Sequence, residues 1–254
     1  MLSGGGTRGI YQIGAIKAIK EFDLWDNIRS ISSSSVGVFN AILSLQYDVD
    51  TAYNVWKEIA TKPVFVNIDQ NADDYIYQLT RESVWNNGLD ITPLMNIIRS
   101  YVDEDIVRQT ERELIISTFN ISQREQKYFE LSEIPHGRLL DYAMASSRLP
   151  FFKRVIINDH NYLDGGMGDN LPYYSKLENK HFDFVITIKI SQIPYFIPMV
   201  SIRNITYDHA LTVRPSKRIG NPLEFKKPSF DEKFDMGYND TKNGLTNFFR
   251  AVGY

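Results

Sequence analysis

The sequence predicts an α/β protein in which helices cover both faces of a mostly parallel central sheet. Short strand-like runs alternate with helical segments along the chain, as expected when crossover helices connect parallel strands. The run at 184–190 is apolar except for Thr187 and Lys189, which is typical of a strand buried on both faces. A serine-rich turn separates a predicted strand at 28–31 from a predicted helix at 36–46.

Length and composition limit the classes of protein that fit. The chain has 254 residues, of which 43% are hydrophobic, so we expect a single domain over 1–254 with a sizeable core. A net charge of −3 argues against nucleic acid as the main partner. The chain has no cysteine, which excludes disulfides, thiolate metal ligands and a cysteine nucleophile.

Targeting signals are not visible in the sequence. No apolar run approaches the roughly 18 residues needed to span a bilayer, and no signal peptide opens the chain. We therefore expect a cytoplasmic or peripheral membrane location. Met1 stands almost directly before a glycine cluster, so a first strand has almost no length, which suggests that the N-terminus has been trimmed.

The glycine cluster at 4–9 leads into a predicted helix over 10–22, with an apolar stripe along one face. Gly4, Gly6 and Gly9 match G-x-G-x-x-G, but the next strand ends in serines, where a dinucleotide site needs an acidic residue. Uncovered N–H groups at a helix N-terminus can instead hold a phosphate or the oxyanion of an acyl-transfer transition state. A tight turn before a helix is the structural alternative.

The serine turn has the spacing of a nucleophile elbow. Gly37 fixes the register of G-x-S-x-G, so the nucleophile is Ser35, and Ser33 occupies the earlier glycine position. Small residues are needed there because the elbow backbone is strained and crowded. A plain serine-rich turn without catalytic role is the alternative for this stretch taken alone.

The rest of the chain supplies further predicted elements. Residues 49–107 are mainly helical, including a helix at 92–101 that begins with Thr92 and Pro93. Strands are predicted at 114–120, 127–131 and 154–157, and a helix at 138–148. The four histidines (His136, His160, His181 and His209) lie outside every motif, so we expect them to be surface or structural groups. No spacing of histidines or carboxylates suggests a metal site.

Four segments, in this order, resemble the patatin-like phospholipase family. They are the glycine cluster 4–9, the elbow at Ser35, the segment 145–152 (Ala-Ser-Ser-Arg-Leu-Pro-Phe-Phe), and Asp164-Gly165-Gly166 followed by Asn170 and Pro172. The similarity spans about residues 2–175, and residues 176–254 are expected to complete the same domain. Any one of these motifs alone is weak evidence, but the four in order favour a single-domain member of bacterial type.

The resemblance implies a three-layer α/β/α fold and a Ser–Asp dyad without histidine. Its nucleophile corresponds to Ser35 and its base to Asp164, while the backbone of Gly4, Gly5 and Gly6 corresponds to the oxyanion hole. Arg8 is expected to brace the glycine loop or to meet an anionic group. Supporting roles correspond to Gly37, Gly165 and Gly166, and neither cofactor nor metal is implied.

The resemblance also implies phospholipids or other acyl lipids as substrates. The apolar, proline-interrupted stretch at 192–200 is expected to contact a membrane interface, to line an acyl channel or to form a buried connection. Because Ser33 departs from the family pattern, the alternative is a catalytically inactive relative that binds lipid or acts as a scaffold. The sequence does not specify the oligomeric state.

Overall fold

The computed structural model describes residues 1–69, 72–85, 87–172, 180–190, 206–225 and 228–253. The predicted α/β class is confirmed: a mixed central sheet, parallel at one end and antiparallel at the other, lies between helices in three layers. The sequence-predicted stretch at 192–200 lies outside the described residues.

The helices of the described residues are α1 (Ile10–Glu21), α2 (Val36–Gln46), α3 (Val49–Thr61), α4 (Tyr75–Trp85), α5 (Thr92–Tyr101), α6 (Glu104–Gln109), α7 (Leu139–Ser147) and α8 (Pro228–Val252). The four helices whose bounds were predicted (α1, α2, α5 and α7) agree to within one residue, 49–107 is mainly helical as expected, and the long helix α8 was not predicted. A short 3-10 helix (Gly6–Gly9) precedes α1 directly. The start of α3 is fixed by Asp48, whose carboxylate accepts a hydrogen bond from the backbone N–H of Thr51.

The strands form two parallel pairs and an antiparallel extension. They are β1 (Ser30–Ser34), β2 (Glu113–Asn120), β3 (Glu125–Glu130), β4 (Val155–Ile157), β5 (His160–Asp164), β6 (His181–Ile188) and β7 (Thr206–Val213). β1 pairs with β2 and β6 with β7 in parallel, and Leu2 joins the two pairs through parallel bridges to Ser33 and Ile188. β3 and β5 run antiparallel to β2, and β4 runs antiparallel to β5.

One pairing detail positions the candidate site. Residues 113–117 of β2 pair with β1, and residues 118–120 pair with β5, whereas β3 covers residues 115–120. β3 therefore lies on one edge of β2, and β1 and β5 lie end to end on the other. The carboxyl ends of β1 and β5 meet there, because Ser34 pairs with Ser117 and Asp164 with the next residue, Thr118.

The strand bounds differ most from prediction at β1 and β6, and no strand was predicted over the residues of β5 and β7. β1 extends over Ser32, Ser33 and Ser34, which were expected to form the turn, because each of them pairs with a residue of β2. The hydroxyls of Ser32 and Ser33 find backbone acceptors. Ser32 Oγ, for example, donates to the carbonyl of Pro172 at 2.6 Å. β6 begins at His181, earlier than the predicted residue 184, because its pairing with β7 starts there.

The long C-terminal helix α8 packs directly against α1 through glycines. A Cβ added at Gly14 of α1 would lie 2.0 Å from the carbonyl oxygen of Phe234, and one at Gly237 of α8 would lie 1.9 Å from that of Tyr11. Both distances are far below van der Waals contact. The backbones of the two helices therefore touch, and this contact holds α8 against the helix that follows the glycine loop.

We expect Gly237→Ala to destabilise the protein by about 3 kcal/mol, because the added methyl group must push α1 and α8 apart. Gly244→Ala is a matched control in the same helix, since a Cβ there meets its nearest atom, Leu211 Cδ1, at an ordinary 3.5 Å. That variant should gain about 0.5–1 kcal/mol, because alanine favours the helix interior over glycine. Urea unfolding measures both; equal effects would contradict the close α1–α8 contact.

Candidate active site

Ser35 is the single residue between the end of β1 and the start of α2, and its backbone is strained. Its dihedral angles are φ 54° and ψ −129°, a conformation that costs a non-glycine residue about 1–3 kcal/mol. The backbone N–H of Ser35 donates to Ser146 Oγ at 2.8 Å, and Ser146 Oγ donates to the carbonyl of Ser117 at 2.6 Å. Buried Ser146 thus fixes the strained turn to the neighbouring strand.

The residues two positions before and after Ser35 are both crowded, as the elbow spacing requires. A Cβ at Gly37 would lie 2.6 Å from the carbonyl oxygen of Leu2, so only glycine fits. Ser33 is fully buried in β1, and its Oγ donates to the carbonyl of Ile115 at 3.3 Å. Ser33, which replaces the glycine of the pattern, therefore directs its hydroxyl toward an acceptor on β2, and the turn keeps its elbow conformation.

Asp164 ends β5 and faces Ser35 directly. Its Oδ2 accepts a hydrogen bond from Ser35 Oγ at 2.5 Å, and its Oδ1 accepts one from the backbone N–H of Gly166 at 2.7 Å. Burial raises the pKa of Asp164 to about 6, although the hydrogen bonds from Ser35 and Gly166 act in the opposite direction. A carboxylate with this pKa is a better base for a hydroxyl than an ordinary aspartate.

The first glycine after Asp164 permits a close approach to β2. A Cβ at Gly165 would lie 2.1 Å from the carbonyl oxygen of Ser117. Gln126 on β3 reaches across to this point: its Nε2 donates to Ser117 Oγ at 2.6 Å and to the carbonyl of Gly165 at 3.1 Å. The Asp164 loop is consequently held by β2 and β3 together.

The glycine loop lies against the elbow, but its three glycines differ. The N–H of Gly4 donates to Asn170 Oδ1 at 2.8 Å, and a Cβ at Gly4 would lie 2.7 Å from Ser35 Cβ. Within the described residues, the N–H groups of Gly5 and Gly6 have no hydrogen-bond acceptor. Gly6 has φ +59°, and a Cβ there would collide with the carbonyl of Pro222 at 2.2 Å. Of the three loop glycines, Gly5 and Gly6 thus present N–H groups that are not bound to any described residue.

Arg8 lies outside the cavity and braces the loop. Its guanidinium is buried, and its Nε and Nη2 donate to the carbonyl of Gly220 at 3.0 and 2.7 Å. Thr7 bonds to the same segment as Arg8: its N–H and its hydroxyl donate to the carbonyls of Pro222 and Asn221. Of the two roles expected for Arg8, the structure shows the bracing contact.

An apolar cavity of about 570 Å³ opens above the Ser35–Asp164 pair. Its floor contains the glycine loop, Ser35, Asp164 and Asn170. Its walls are mainly apolar side chains from α2, α3, α5 and two connecting segments, among them Phe39, Trp56, Met95, Ile98, Phe152 and Phe225. A cavity of this size and lining is suited to a hydrocarbon chain whose polar end reaches the floor.

None of the four histidines lines this cavity. His160 begins β5 after a turn in which Asn158 and Asp159 both have positive φ, as expected for a hairpin tip. His181 lies with Asp183 and Asp208 in an exposed group whose potential ligand atoms are within 4.8 Å of one another, but that group is at the β6–β7 strands and not in the cavity.

Two functional contacts were missed by sequence reasoning. Ser146 and Asn170 lie inside segments that carry the family resemblance, yet no role was predicted for either. Asn170 ties the glycine loop to the loop after Asp164, and Ser146 holds the amide of the elbow. The available signal was weak: each is a polar residue with one polar and one apolar neighbour in the sequence, a pattern with many structural causes.

Comparison with protein families matches residues 1–175 to a family described as patatin-like phospholipase. A probable lipid hydrolase of Invertebrate iridescent virus 6 is 27% identical over 204 residues, which cover 74% of this chain and 68% of the viral protein. A lysophospholipase of Aspergillus terreus is 29% identical over 184 residues, covering 67% of this chain but only 10% of the fungal protein. This chain therefore corresponds to a small part of that relative.

The solved structure of VipD from Legionella pneumophila has a similar fold. It matches with a TM-score of 0.57 at 14% identity, over 97% of this chain and 66% of VipD. At this identity the match concerns the fold alone. Among the described residues, no helix has the length and apolar character needed to cross a membrane.

Proposed function

The chain belongs to the patatin-like phospholipase family, and we propose that it hydrolyses acyl esters of lipids through a dyad of Ser35 and Asp164. The observation that carries the proposal is the 2.5 Å hydrogen bond between a strained serine and a buried carboxylate at the floor of an apolar cavity. The names of the relatives, a lipid hydrolase and a lysophospholipase, support the same substrate class.

In the first half-reaction Ser35 Oγ attacks the ester carbonyl carbon while Asp164 Oδ2 accepts the hydroxyl proton. The new Oγ–C bond gives a tetrahedral intermediate. Its collapse breaks the ester C–O bond, and the leaving alkoxide takes the proton from Asp164. Water then attacks the acyl carbon while Asp164 Oδ2 again accepts a proton. Collapse of this second tetrahedral intermediate breaks the acyl C–Oγ bond, Ser35 Oγ takes the proton back from Asp164, and the fatty acid is released. No histidine is needed because the carboxylate contacts the hydroxyl directly.

The oxyanion is assigned to the N–H groups of Gly5 and Gly6. Both lack an acceptor among the described residues and precede α1, whose N-terminus adds partial positive charge. Gly4, which was also expected to donate, keeps its N–H on Asn170. Its proposed part is steric, because the absence of a side chain lets the loop approach Ser35.

Hydrolysis of p-nitrophenyl esters tests the proposal. We expect turnover of both the butyrate and the octanoate, with kcat/KM roughly tenfold or more higher for the octanoate, because each buried methylene adds about 0.8 kcal/mol of binding. A fluorophosphonate probe should label Ser35, as shown by mass spectrometry. A protein that neither turns over the esters nor reacts with the probe would be the inactive, lipid-binding relative instead.

A further inference from the structure

An unusual concentration of exposed apolar side chains lies on α4 and the segment before it. Nine large hydrophobic residues are exposed among the described residues, and five of them fall between 66 and 85. Four of these are on α4: Ile76, Tyr77, Val84 and Trp85 are 60%, 64%, 73% and 81% exposed. Isolated exposed apolar residues are ordinary, but a group on one short helix indicates a binding surface.

These four residues, which we call the α4 apolar face, share the outward side of the helix. At 100° per residue they fall within half a turn of the helical circumference, opposite buried Leu79. Thr80 and Arg81 lie between them, and the Arg81 guanidinium is paired with Glu82 at 3.1 Å. The α4 apolar face therefore carries no uncompensated charge.

Both ends of α4 are attached to the wall of the cavity. At its N-terminal end, Tyr75 Oη donates to the carbonyl of Leu223 at 3.1 Å. Just beyond its C-terminal end, the N–H of Leu89 donates to the carbonyl of Phe151 at 2.7 Å. Leu223 and Phe151 both line the cavity. α4 and the segment that follows it are thus hydrogen-bonded to two segments of the cavity wall, which places the α4 apolar face beside the cavity, although no residue of α4 lines the cavity itself.

We propose that the α4 apolar face inserts into the surface of a lipid aggregate and holds the cavity mouth against it. This inference rests on the proposed function, since a lipid hydrolase must draw its substrate from such a surface. Tryptophan and tyrosine favour the membrane–water boundary, where an apolar face of this kind enters to about 5–10 Å. With no net charge on the face, binding depends on apolar contact and not on anionic head groups.

A lipid surface fits this face better than a second protein. An aromatic side chain offers about 150–250 Å² and an aliphatic one less. Because the four side chains are only 60–81% exposed, together they provide less than the roughly 800 Å² that each partner of a stable protein complex buries. A lipid surface needs no shape-matched partner, and insertion of a few side chains is enough for reversible binding.

Vesicles of phosphatidylcholine provide the test, with Trp85 as the reporter because Trp56 is buried and Trp25 is partly covered. We expect a blue shift of Trp85 fluorescence on binding and quenching by brominated acyl chains, both insensitive to salt. The double variant Tyr77→Ser/Val84→Ser should partition into vesicles roughly tenfold or more weakly, since burial of each such side chain contributes at least that factor. Ile156→Ser, an equally exposed residue on β4, is the matched control and should bind normally.

Several outcomes overturn the inference. They are unchanged partitioning of the double variant, binding that requires anionic lipid, or a dimer in sedimentation that the double variant dissociates. The proposed function is judged separately with soluble p-nitrophenyl butyrate, whose hydrolysis the double variant should retain. If the wild type cleaves this ester and the double variant still binds vesicles, the inference fails alone. If the wild type binds vesicles through the face but cleaves no ester, the proposed function fails alone.

Discussion

Replacing Ser35 with alanine is expected to lower kcat for p-nitrophenyl butyrate by three orders of magnitude or more. The substitution removes the attacking oxygen, and loss of a catalytic nucleophile typically has effects of about this size or larger. It should also abolish fluorophosphonate labelling. Folding should be retained, because the lost hydroxyl donates only to Asp164, and alanine can still present the backbone N–H to Ser146.

Ser34→Ala is the control that tests the register of the serine run. Ser34 is buried next to Ser35, but it belongs to β1, and its Oγ has no hydrogen-bond partner among the described residues. We expect this variant to keep at least half of the wild-type kcat and to react with the probe. Loss of activity in Ser34→Ala, together with retained activity in Ser35→Ala, would shift the nucleophile by one residue and refute the proposed dyad.

The register of the elbow could be predicted because Gly37 is constrained by local sterics. A glycine is required two residues after the nucleophile because the backbone there lies against the carbonyl of Leu2, which leaves no room for a Cβ. A requirement for one residue type at a fixed spacing is visible in the sequence itself. The same applies to Gly165, which lies against the Ser117 carbonyl. The proximity of Ser35 and Asp164 was available only through the family resemblance, because 129 residues separate them and the meeting of β1 and β5 on one edge of β2 leaves no local signal.

Other features depend on tertiary contacts that periodicity does not record. The serines of β1 lie in the strand because β2 offers them partners, so the predicted strand ended too early. Asn170 captures the N–H of Gly4 through a contact over 166 residues, and no local pattern distinguishes Gly4 from Gly5 and Gly6. The outward apolar face of α4 is also hidden in sequence, since an apolar helix side is ordinarily taken to face the core.

The pKa of Asp164 makes the proposed activity depend on pH. The base must be ionised to accept the Ser35 proton, and burial raises its pKa to about 6. We expect kcat to increase about tenfold per pH unit below pH 6 and to reach a plateau above it. The plateau should hold to at least pH 8, because the proposed dyad requires no second titratable group in its protonated form. A profile with its midpoint near pH 4 would mean that Asp164 is solvated and not buried during turnover.

Asp164→Asn should lower kcat about a thousandfold or more while making the protein more stable at pH 8. The loss of activity follows because the amide cannot accept the Ser35 proton. The gain in stability follows from burial: the folded-state pKa of about 6 lies above the unfolded value of 3.8, so the folded state binds the proton more tightly. Between these pH values the contribution of Asp164 to the free energy of unfolding falls as pH rises. Above pH 6, burial of the ionised carboxylate lowers the free energy of unfolding by its full amount, about 3 kcal/mol.

The neutral amide escapes that cost, so the increase in Tm should be largest above pH 6 and should vanish below pH 4, where the wild-type carboxyl is protonated as well.

Asp159→Asn is the matched control, because Asp159 lies exposed at the turn before β5 with positive φ, which asparagine tolerates. It should leave kcat and Tm nearly unchanged at every pH. Thermal unfolding and ester hydrolysis across pH 4–8 give both readouts. If the Asp164→Asn variant were inactive but showed no gain in Tm at pH 8, Asp164 would be needed for catalysis without being desolvated, and its raised pKa would be wrong. A more stable variant that remained active would instead remove Asp164 from the dyad.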